Sequence, residues 1–308
     1  VTNVPKGYAS DYPEANFLKV VNTLEALQRL AERHRDEFNI PIVGITGSNG
    51  KTMVKEWLYQ LLSPSMFVTR SPRSYNSQIG VPLSVWLMNE QTEVGVFEAG
   101  ISQPGEMLAL RDIIQPTIAV LTYLGSAHQE NFESLEAKCR EKIILFHDAE
   151  TIAYNGDEIV SKVVGEYHDY KGEKLYWSQK DAEAPFFIKN IEKKNDLTIV
   201  TYIYKGEEDS YSLPFIDEAS VTNSIISAVV SRKLGLSAED VDKRMSLLEP
   251  VAMRLEVKEG QHGCTLINDS YNSDINSLDI ALDFMSRRPD HKGRRHTLIL
   301  SDIFQSGE

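Results

Sequence analysis

One stretch decides the fold of this chain: Ile42-Val43-Gly44-Ile45-Thr46-Gly47-Ser48-Asn49-Gly50-Lys51-Thr52. Its first five residues form an apolar run that predicts a buried strand, and the pattern after Lys51 predicts an amphipathic helix. A glycine-rich turn between a strand and a helix is the setting of a phosphate-binding loop. Glycines let successive backbone N–H groups turn toward phosphate oxygens, so the stretch predicts a nucleotide site at the start of the helix.

The residues of this loop have separate expected roles. Backbone amides of Gly47, Ser48, Asn49 and Gly50 are expected to surround phosphate, with help from the positive end of the helix. The Lys51 ammonium can reach the terminal phosphates of ATP, and the Thr52 hydroxyl can bind Mg²⁺. The loop departs from the usual pattern in one place, because Ile45 stands where the first glycine is expected. A plain glycine-rich turn without a ligand is the alternative interpretation.

Composition favours an ordinary globular protein. The chain has 308 residues, enough for two or more domains, with 42% hydrophobic and 25% charged residues. Its two cysteines, Cys139 and Cys264, are too far apart in sequence to indicate a disulfide framework or a cysteine metal site. The net charge is −13, and the one basic cluster, residues 287–295, is short, so no nucleic-acid partner is expected. No apolar run is long enough for membrane insertion, which favours a cytoplasmic protein.

The pattern after residue 41 alternates strands with helices. Strands are predicted at Ile42–Thr46, Met66–Thr69, Glu93–Glu98 and Thr117–Thr122. Helices are predicted at Thr52–Leu62, Val81–Met88, Pro104–Ile114 and Leu135–Phe146. Such alternation is typical of βαβ units, so the sequence predicts an α/β fold with a doubly wound, mostly parallel sheet.

Residues 173–215 break this alternation. Their strand-like runs, separated by charged turns, predict a small antiparallel β insertion made of Leu175–Trp177, Phe186–Ile188 and Leu197–Tyr204. A helical region at 219–248 follows. From residue 253 the order strand, strand, helix, strand predicts the start of a second, Rossmann-like α/β domain, with its elements at Leu255–Lys258, Cys264–Asn268, Ile275–Ser286 and Thr297–Leu300.

Three domains are therefore expected. Residues 1–40 carry one helix and a polar tail, and are expected to end an N-terminal domain and link it to the next. Residues 41–252 form the central ATP-binding domain, and residues 253–308 begin a C-terminal domain. Because neither end is long enough to close a core, we expect this chain to be part of a longer protein.

The form of the loop, Thr46-Gly47-Ser48-Asn49-Gly50-Lys51-Thr52, resembles that of the Mur ligases and their relative folylpolyglutamate synthetase. Mur ligases are three-domain, ATP-dependent enzymes that form amide bonds in peptidoglycan precursor synthesis. The resemblance implies that residues 1–40 end a domain that binds the UDP part of the substrate. It also implies that Asn76 and Ser77, in the segment Tyr75–Pro82 before an Ile-Gly-x-Pro turn, bind substrate. The alternative for these two residues is a purely structural loop.

Two further segments suggest a metal site. Glu98 ends a buried strand at the sheet edge where ligands bind in open α/β folds, and a carboxylate there suits Mg²⁺. The alternative is an ordinary strand-end acid facing water. The resemblance implies that Glu98 binds magnesium. It implies the same for His128, in the segment Ala127–Phe132 that matches the family's Ala-His-x-Glu-x-Phe, although a lone histidine is usually structural.

Lys142 precedes Ile143-Ile144-Leu145-Phe146, which resembles a lysine-containing stretch of the family. In many Mur ligases that lysine is carbamylated by CO₂, which would turn a cation into an oxygen ligand for a second Mg²⁺. Lys138, one helical turn earlier, is the second candidate. Composition alone favours two solvated surface lysines. The resemblance thus implies Lys51, His128 and Lys142 as catalytic residues and Thr52, Glu98, His128 and Lys142 as metal ligands.

The remaining expected nucleotide contacts lie near the end of the chain. The resemblance implies that Asn223 meets the adenine, although Asn223 also suits a helix start. It implies that Arg254 contacts the phosphates and that the Asp269 carboxylate contacts the ribose hydroxyls. Asp269-Ser270-Tyr271-Asn272 and Ala127–Phe132 resemble the family member that adds D-alanyl-D-alanine.

The expected function is therefore ATP-dependent addition of D-alanyl-D-alanine to UDP-N-acetylmuramoyl-tripeptide through an acyl phosphate. Another Mur ligase, a folylpolyglutamate synthetase-like enzyme, or a non-catalytic nucleotide-binding module are the alternatives. The third residue of the tripeptide stays open, as does a fusion to an alanine racemase domain, which occurs in some relatives of the family.

Overall fold

The computed structural model describes residues 12–125, 131–251, 256–270, 275–287 and 295–300. The strands in these ranges are β1 (Ile42–Thr46), β2 (Val68–Arg70), β3 (Val94–Glu98), β4 (Ile118–Leu121), β5 (Thr151–Asn155), β6 (Glu173–Ser178), β7 (Phe186–Lys194), β8 (Leu197–Tyr204), β9 (Glu207–Leu213), β10 (Glu256–Glu259) and β11 (Thr265–Asn268). The first nine form one sheet, in the order β2-β3-β1-β4-β5-β6-β7-β8-β9.

Helices connect these strands and cover both faces of the sheet. They are α1 (Thr23–Arg35), α2 (Lys51–Leu62), α3 (Gly80–Val85), α4 (Glu106–Ile114), α5 (Leu135–Lys142), α6 (Ile159–Gly165), α7 (Glu218–Lys233), α8 (Ala238–Met245) and α9 (Ile275–Arg287). A 3₁₀ turn, Ile143–Phe146, continues α5. No helix in the described ranges is both long and apolar enough to span a bilayer.

The sheet pairing confirms the predicted doubly wound α/β fold. Every pairing from β2 across to β7 is parallel, and β7, β8 and β9 pair antiparallel. The predicted antiparallel strands are thus present, and they extend the main sheet. One assignment was wrong: Leu175–Trp177 lies in β6, which pairs parallel with β5 and β7. The sequence pattern shows a strand but not the direction of its neighbour, so this error has a simple cause.

Alternation along β1 explains how the sheet is covered. Val43 and Ile45 face one hydrophobic core, together with Trp57 and Leu58 of α2. Ile42 faces the other core, which includes Leu110 of α4. Successive side chains of a strand point to opposite faces, and a parallel strand buried on both faces reads as a continuous apolar run. The sequence of β1 therefore selects a central strand between two helical layers.

Helix α1 is anchored to this central sheet by the buried side chain of Arg35. Its guanidinium donates hydrogen bonds to the carbonyls of Ile114 (2.9 Å), Gln115 (2.9 Å) and Phe38 (2.6 Å). Burial lowers the pKa of Arg35, while the neighbouring Asp36 raises it. The helix expected to link two domains thus packs firmly against one of them, and the boundary at residue 40 stays a prediction.

Other predicted elements differ at their ends or were missed. The strand predicted at 66–69 lies at Val68–Arg70, and the helix predicted from Pro104 begins at Glu106. Strands β5 and β9 and helix α6 had no counterpart in the sequence prediction. Residues 297–300 were wrongly predicted as a strand, because none of the described residues pairs with them. A strand needs a hydrogen-bonded neighbour, which its apolar sequence alone cannot supply.

The elements after residue 255 start with a hairpin. Strands β10 and β11 pair antiparallel, with Glu256 opposite Asn268, and α9 follows. The predicted strand, strand, helix order is present, but the two strands pair with each other in a separate two-stranded sheet. The predicted boundary at residue 252 is not tested by this arrangement and stays a prediction.

Replacing Trp57 by alanine should destabilise the fold by about 3–5 kcal/mol, since it removes a large buried side chain. Trp57 is fully buried, stacks on Phe215 at 5.4 Å between ring centroids, and donates its indole N–H to the Glu249 carbonyl. Trp86→Ala is the matched control, because that ring is 54% exposed and should cost less than about 1 kcal/mol. Urea unfolding measures both, and equal losses would contradict this view of the core.

Candidate nucleotide and metal site

The site lies where the carboxyl ends of three neighbouring strands meet. Strand β1 lies between β3 and β4, and all three run parallel. In this register Ile45 is opposite Glu98, and Thr46 is opposite Leu121. The loop that follows β1 and the acid that ends β3 therefore share one edge, as ligand sites of open α/β sheets do.

Two glycines give the loop its shape. Gly47 has φ +145°, and a Cβ there would lie 2.1 Å from Thr122 Oγ1. Gly50 has φ +87°, caps the start of α2 without a side-chain bond, and leaves no room for a Cβ, which would lie 2.4 Å from Asn223 Oδ1. Ile45 is fully buried inside β1. The turn thus begins two residues after the position where the usual pattern has its first glycine.

Lys51 and Lys142 meet at one carbonyl of the loop. Lys51 Nζ donates to the carbonyls of Gly47 (2.9 Å) and Ser48 (3.0 Å), and Lys142 Nζ donates to that of Gly47 (3.1 Å). Lys138 Nζ donates to the Gly125 carbonyl at 2.5 Å. Composition favours solvated side chains for Lys138 and Lys142, yet both are buried. The fold therefore brings Lys142 from α5 to the phosphate loop.

Burial and like charge lower the pKa of Lys142 well below its ordinary value. Desolvation is the largest cause, followed by repulsion from Lys51 and Lys138. A lysine with a lowered pKa carries a larger fraction of neutral amine, which is the nucleophilic form. Lys142 is therefore chemically suited to react with an electrophile such as CO₂.

Glu98 is fully buried, and its two oxygens have different surroundings. Oε2 accepts hydrogen bonds from Thr52 Oγ1 (3.1 Å) and Asn76 Nδ2 (3.4 Å). Oε1 has no hydrogen-bond partner among the described residues and lies 3.3 Å from Lys55 Nζ. A buried carboxylate whose Oε2 lies beside a threonine hydroxyl fits a hard cation that takes oxygen ligands.

The described residues contain no group of three or more histidine, cysteine or acidic side chains arranged around a point. This is compatible with the predicted ligand set, which combines one carboxylate with a hydroxyl and a lysine. His128, the remaining predicted ligand, lies outside the described residues.

The sequence analysis missed Lys55. Its side chain is fully buried one helical turn after Lys51, with Nζ near Glu56 Oε1 (2.9 Å) as well as Glu98. It also donates to the carbonyls of Ser71 (2.8 Å) and Arg73. A signal was available, because a lysine four residues after the loop lysine lies on the same helix face, directed at the sheet edge.

Asn76 and Ser77, predicted to bind substrate, belong to a segment that touches the site. The Asn76 side chain donates to Glu98, while the Ser77 hydroxyl accepts the Gly80 N–H at the start of α3 (3.2 Å). Ser74 Oγ lies 3.0 Å from Thr52 Oγ1. Asn76 is thus next to the acid of the site, whereas Ser77 has a local structural contact. Their substrate roles stay predictions.

Two of the three predicted nucleotide contacts, Asn223 and Asp269, lie among the described residues. Asn223, on α7, is buried against Gly50 and donates to Met53 Sδ (3.2 Å), so it borders the phosphate loop. Asp269 follows β11 and is partly exposed. Arg254 lies outside the described residues. The adenine, ribose and phosphate roles of these residues stay predictions.

Comparison with known families identifies the central part of the chain. The family model of the Mur ligase middle domain matches residues 45–231, more than half of the chain. The matched range begins in β1 and ends in α7. It therefore contains the phosphate loop, Glu98 and Lys142.

Two curated relatives carry the name UDP-N-acetylmuramoyl-tripeptide–D-alanyl-D-alanine ligase. The one from Bacillus subtilis is 28% identical over 321 residues, covering 100% of this chain and 64% of the relative. The one from Borreliella burgdorferi is 28% identical over 277 residues, covering 88% and 58%. This chain therefore spans about three fifths of the length of these relatives.

Two solved structures are similar in fold. MurF from Acinetobacter baumannii has a TM-score of 0.78 at 22% identity, over 88% of this chain and 60% of that one. MurF ligase from Thermotoga maritima, solved in complex with ADP, has a TM-score of 0.76 at 26% identity, over 88% and 62%. The first comparison supports the fold alone.

Gly50→Ala should weaken ADP binding at least tenfold, because a Cβ there meets Asn223 and displaces the loop. Gly206→Ala is the matched control: Gly206 has φ +80° in the turn between β8 and β9, with nothing within 4 Å of its added Cβ. In both variants an alanine must adopt a left-handed backbone conformation, which costs about 1–2 kcal/mol of stability. Only the alanine at position 50 also collides with a neighbouring side chain. Calorimetric titration with ADP measures the difference, and equal affinities would refute the placement of the nucleotide.

Proposed function

Because this chain belongs to the Mur ligase family, we propose that its protein is an ATP-dependent ligase that adds D-alanyl-D-alanine to UDP-N-acetylmuramoyl-tripeptide. One observation carries the phosphoryl-transfer half of the proposal: the loop with Lys51 and Thr52 lies beside the buried Glu98 carboxylate. The substrate half is supported by the names of the relatives from Bacillus subtilis and Borreliella burgdorferi. Since ATP and nucleotide-linked precursors are its substrates, we propose the cytoplasm as its location.

The proposed reaction has two balanced steps. A carboxylate oxygen of the tripeptide attacks the γ-phosphorus of ATP, the bond to the β-phosphate oxygen breaks, and ADP leaves. The amine of D-alanyl-D-alanine then attacks the acyl phosphate carbonyl, the bond to the phosphate oxygen breaks, and phosphate leaves as the amine loses a proton. Phosphorylation is needed because a free carboxylate is a poor electrophile.

The contribution of the chain in this proposal is positioning and charge neutralisation. Loop amides from Gly47 to Gly50 and the Lys51 ammonium hold the phosphates. Thr52, Glu98 and His128 would hold Mg²⁺, and a second Mg²⁺ would lie beside Lys142. Mg²⁺, when bound, offsets the negative charge of the transferred phosphoryl group. Asn223, Arg254 and Asp269 are proposed to contact the nucleotide, and Asn76 and Ser77 the other substrate.

The proposal is tested by phosphate release from the intact gene product. With ATP, Mg²⁺ and UDP-N-acetylmuramoyl-tripeptide present, release should depend on added D-alanyl-D-alanine. Glutamate or a diamino acid as the acceptor distinguishes a folylpolyglutamate synthetase-like enzyme or another Mur ligase. Nucleotide binding without release for any acceptor would contradict ligase activity and indicate a non-catalytic module.

We further propose that Lys142 carries a carbamate. Its neutral amine attacks CO₂, a C–N bond forms, and one proton leaves, so a cation becomes an anionic oxygen ligand. The lowered pKa of Lys142 supports this reaction, because the neutral amine then persists at a pH where ordinary lysines are protonated. As the pH falls through the pKa of Lys142, the amine becomes protonated and the carbamate should be lost.

Labelling with ¹³C-bicarbonate should therefore give a carbamate signal at neutral pH that disappears in Lys142→Ala. Lys162 is the internal control, because it is exposed and its bond to Glu136 raises its pKa. Lys142→Ala should also lose ligase turnover and recover part of it with added short carboxylates, which can replace the missing oxygen ligand. Unchanged turnover in Lys142→Ala, or a signal that survives the substitution, would refute the assignment.

A further inference from the structure

Lys55 is a buried cation that no loop or substrate role explains. Its ammonium is removed from water and lies near four oxygens: the carbonyls of Ser71 and Arg73 and the carboxylates of Glu56 and Glu98. A buried charge is tolerated when it is paired and hydrogen-bonded, so these contacts account for its burial. They also join α2, the end of β3 and the segment after β2 at a single atom.

A second observation is that the two carboxylate oxygens of Glu98 contact different partners. Oε1 lies toward Lys55, at 3.3 Å, and Oε2 lies toward Thr52 Oγ1, at 3.1 Å. The Thr52 hydroxyl is a proposed metal ligand. The carboxylate therefore presents one oxygen to the proposed magnesium position and the other to an internal cation.

The third observation concerns the segment after β2, residues 71–74. The Ser71 hydroxyl accepts the N–H of Glu98 (3.1 Å), while Ser74 Oγ reaches Thr52. Between them Arg73 has φ +48°, a left-handed conformation that L-residues rarely adopt. Lys55 binds the carbonyls of Ser71 and Arg73, so the same cation that faces Glu98 also stabilises this strained turn.

We propose that Lys55 is a positioning residue for the metal carboxylate: it retains Oε1 of Glu98, so that Glu98 binds magnesium through Oε2 alone. This inference rests on the proposed function, because it assumes the magnesium role of Glu98. Partners that orient a metal ligand affect metal affinity without touching the metal. A purely structural ion pair would instead affect folding stability and leave the magnesium dependence unchanged.

The test is Lys55→Met, which removes the charge and keeps a similar length. Calorimetry measures ADP binding with and without Mg²⁺, and a thermal melt shows whether the variant is folded. Magnesium affinity in the presence of ADP should fall about 10–100-fold, whereas ADP binding without Mg²⁺ should change less than about twofold. A folded variant with unchanged magnesium affinity, or with an equal loss of ADP binding without metal, would overturn the proposal.

Glu56→Gln is the matched control. Glu56 Oε1 lies 2.9 Å from Lys55 Nζ, and the Glu56 side chain is 21% exposed. Its substitution removes a negative partner of Lys55 but keeps the contact with Glu98, so magnesium affinity should stay within about twofold. A loss as large as that of Lys55→Met would mean that any change around Lys55 has this effect, and would overturn the specific role.

A second measurement needs no variant, and so decides the case if Lys55→Met does not fold. A crystal structure of the unmodified protein with ADP and Mg²⁺ should show magnesium on Oε2 of Glu98 and Lys55 still beside Oε1. Bidentate binding by Glu98, or a Lys55 side chain that has left Oε1, would overturn the proposal. If the unmodified protein binds ADP without any effect of Mg²⁺, the proposed metal site fails first, and that result is distinct from a failure of the Lys55 role.

Discussion

The parallel pairing of β1 with β3 is the constraint on which the rest of the site depends. It sets Ile45 opposite Glu98, so the phosphate loop and the acid leave the sheet at the same level. A slip of one residue would turn the side chains of β1 to the wrong faces, because side chains alternate along a strand. The two cores prevent that slip, since Val43 and Ile45 belong to one core and Ile42 to the other. Packing that stabilises the fold therefore also sets the geometry of the site.

The second constraint is the burial of charged side chains away from water. Glu98, Lys55 and Lys142 are all buried at or near the sheet edge. Glu98 and Lys55 compensate each other at 3.3 Å, but Lys142 is next to carbonyls and further lysines. Burial beside further lysines disfavours the charged form of Lys142, which is why its pKa falls. The same burial thus places one lysine against a carboxylate, and it favours the nucleophilic form of another.

Much of the fold could be predicted from sequence, since long periodic elements such as β1 and α2 carry their own signal. The pairing of the strands could not be predicted from sequence, because whether β6 pairs parallel or antiparallel depends on residues far away in the chain. In the site, the glycines and Lys51 could be predicted from their spacing. Glu98 could be predicted because it ends a strand. The spacing of Lys55 from Lys51 indicates a shared helix face but not its burial, because that burial results from three segments that meet only in the folded chain. Predictions on His128 and Arg254 fall outside the described residues.

The shared carbonyl of Gly47 connects the loop to the proposed modification. Both Lys51 and Lys142 donate to it, and the nearby charge of Lys51 helps to lower the pKa of Lys142. A carbamate on Lys142 would reverse the sign of one partner, and the repulsion felt by Lys51 would become an attraction. Modification of α5 would therefore alter the charge balance of the phosphate loop itself, in addition to supplying an oxygen ligand.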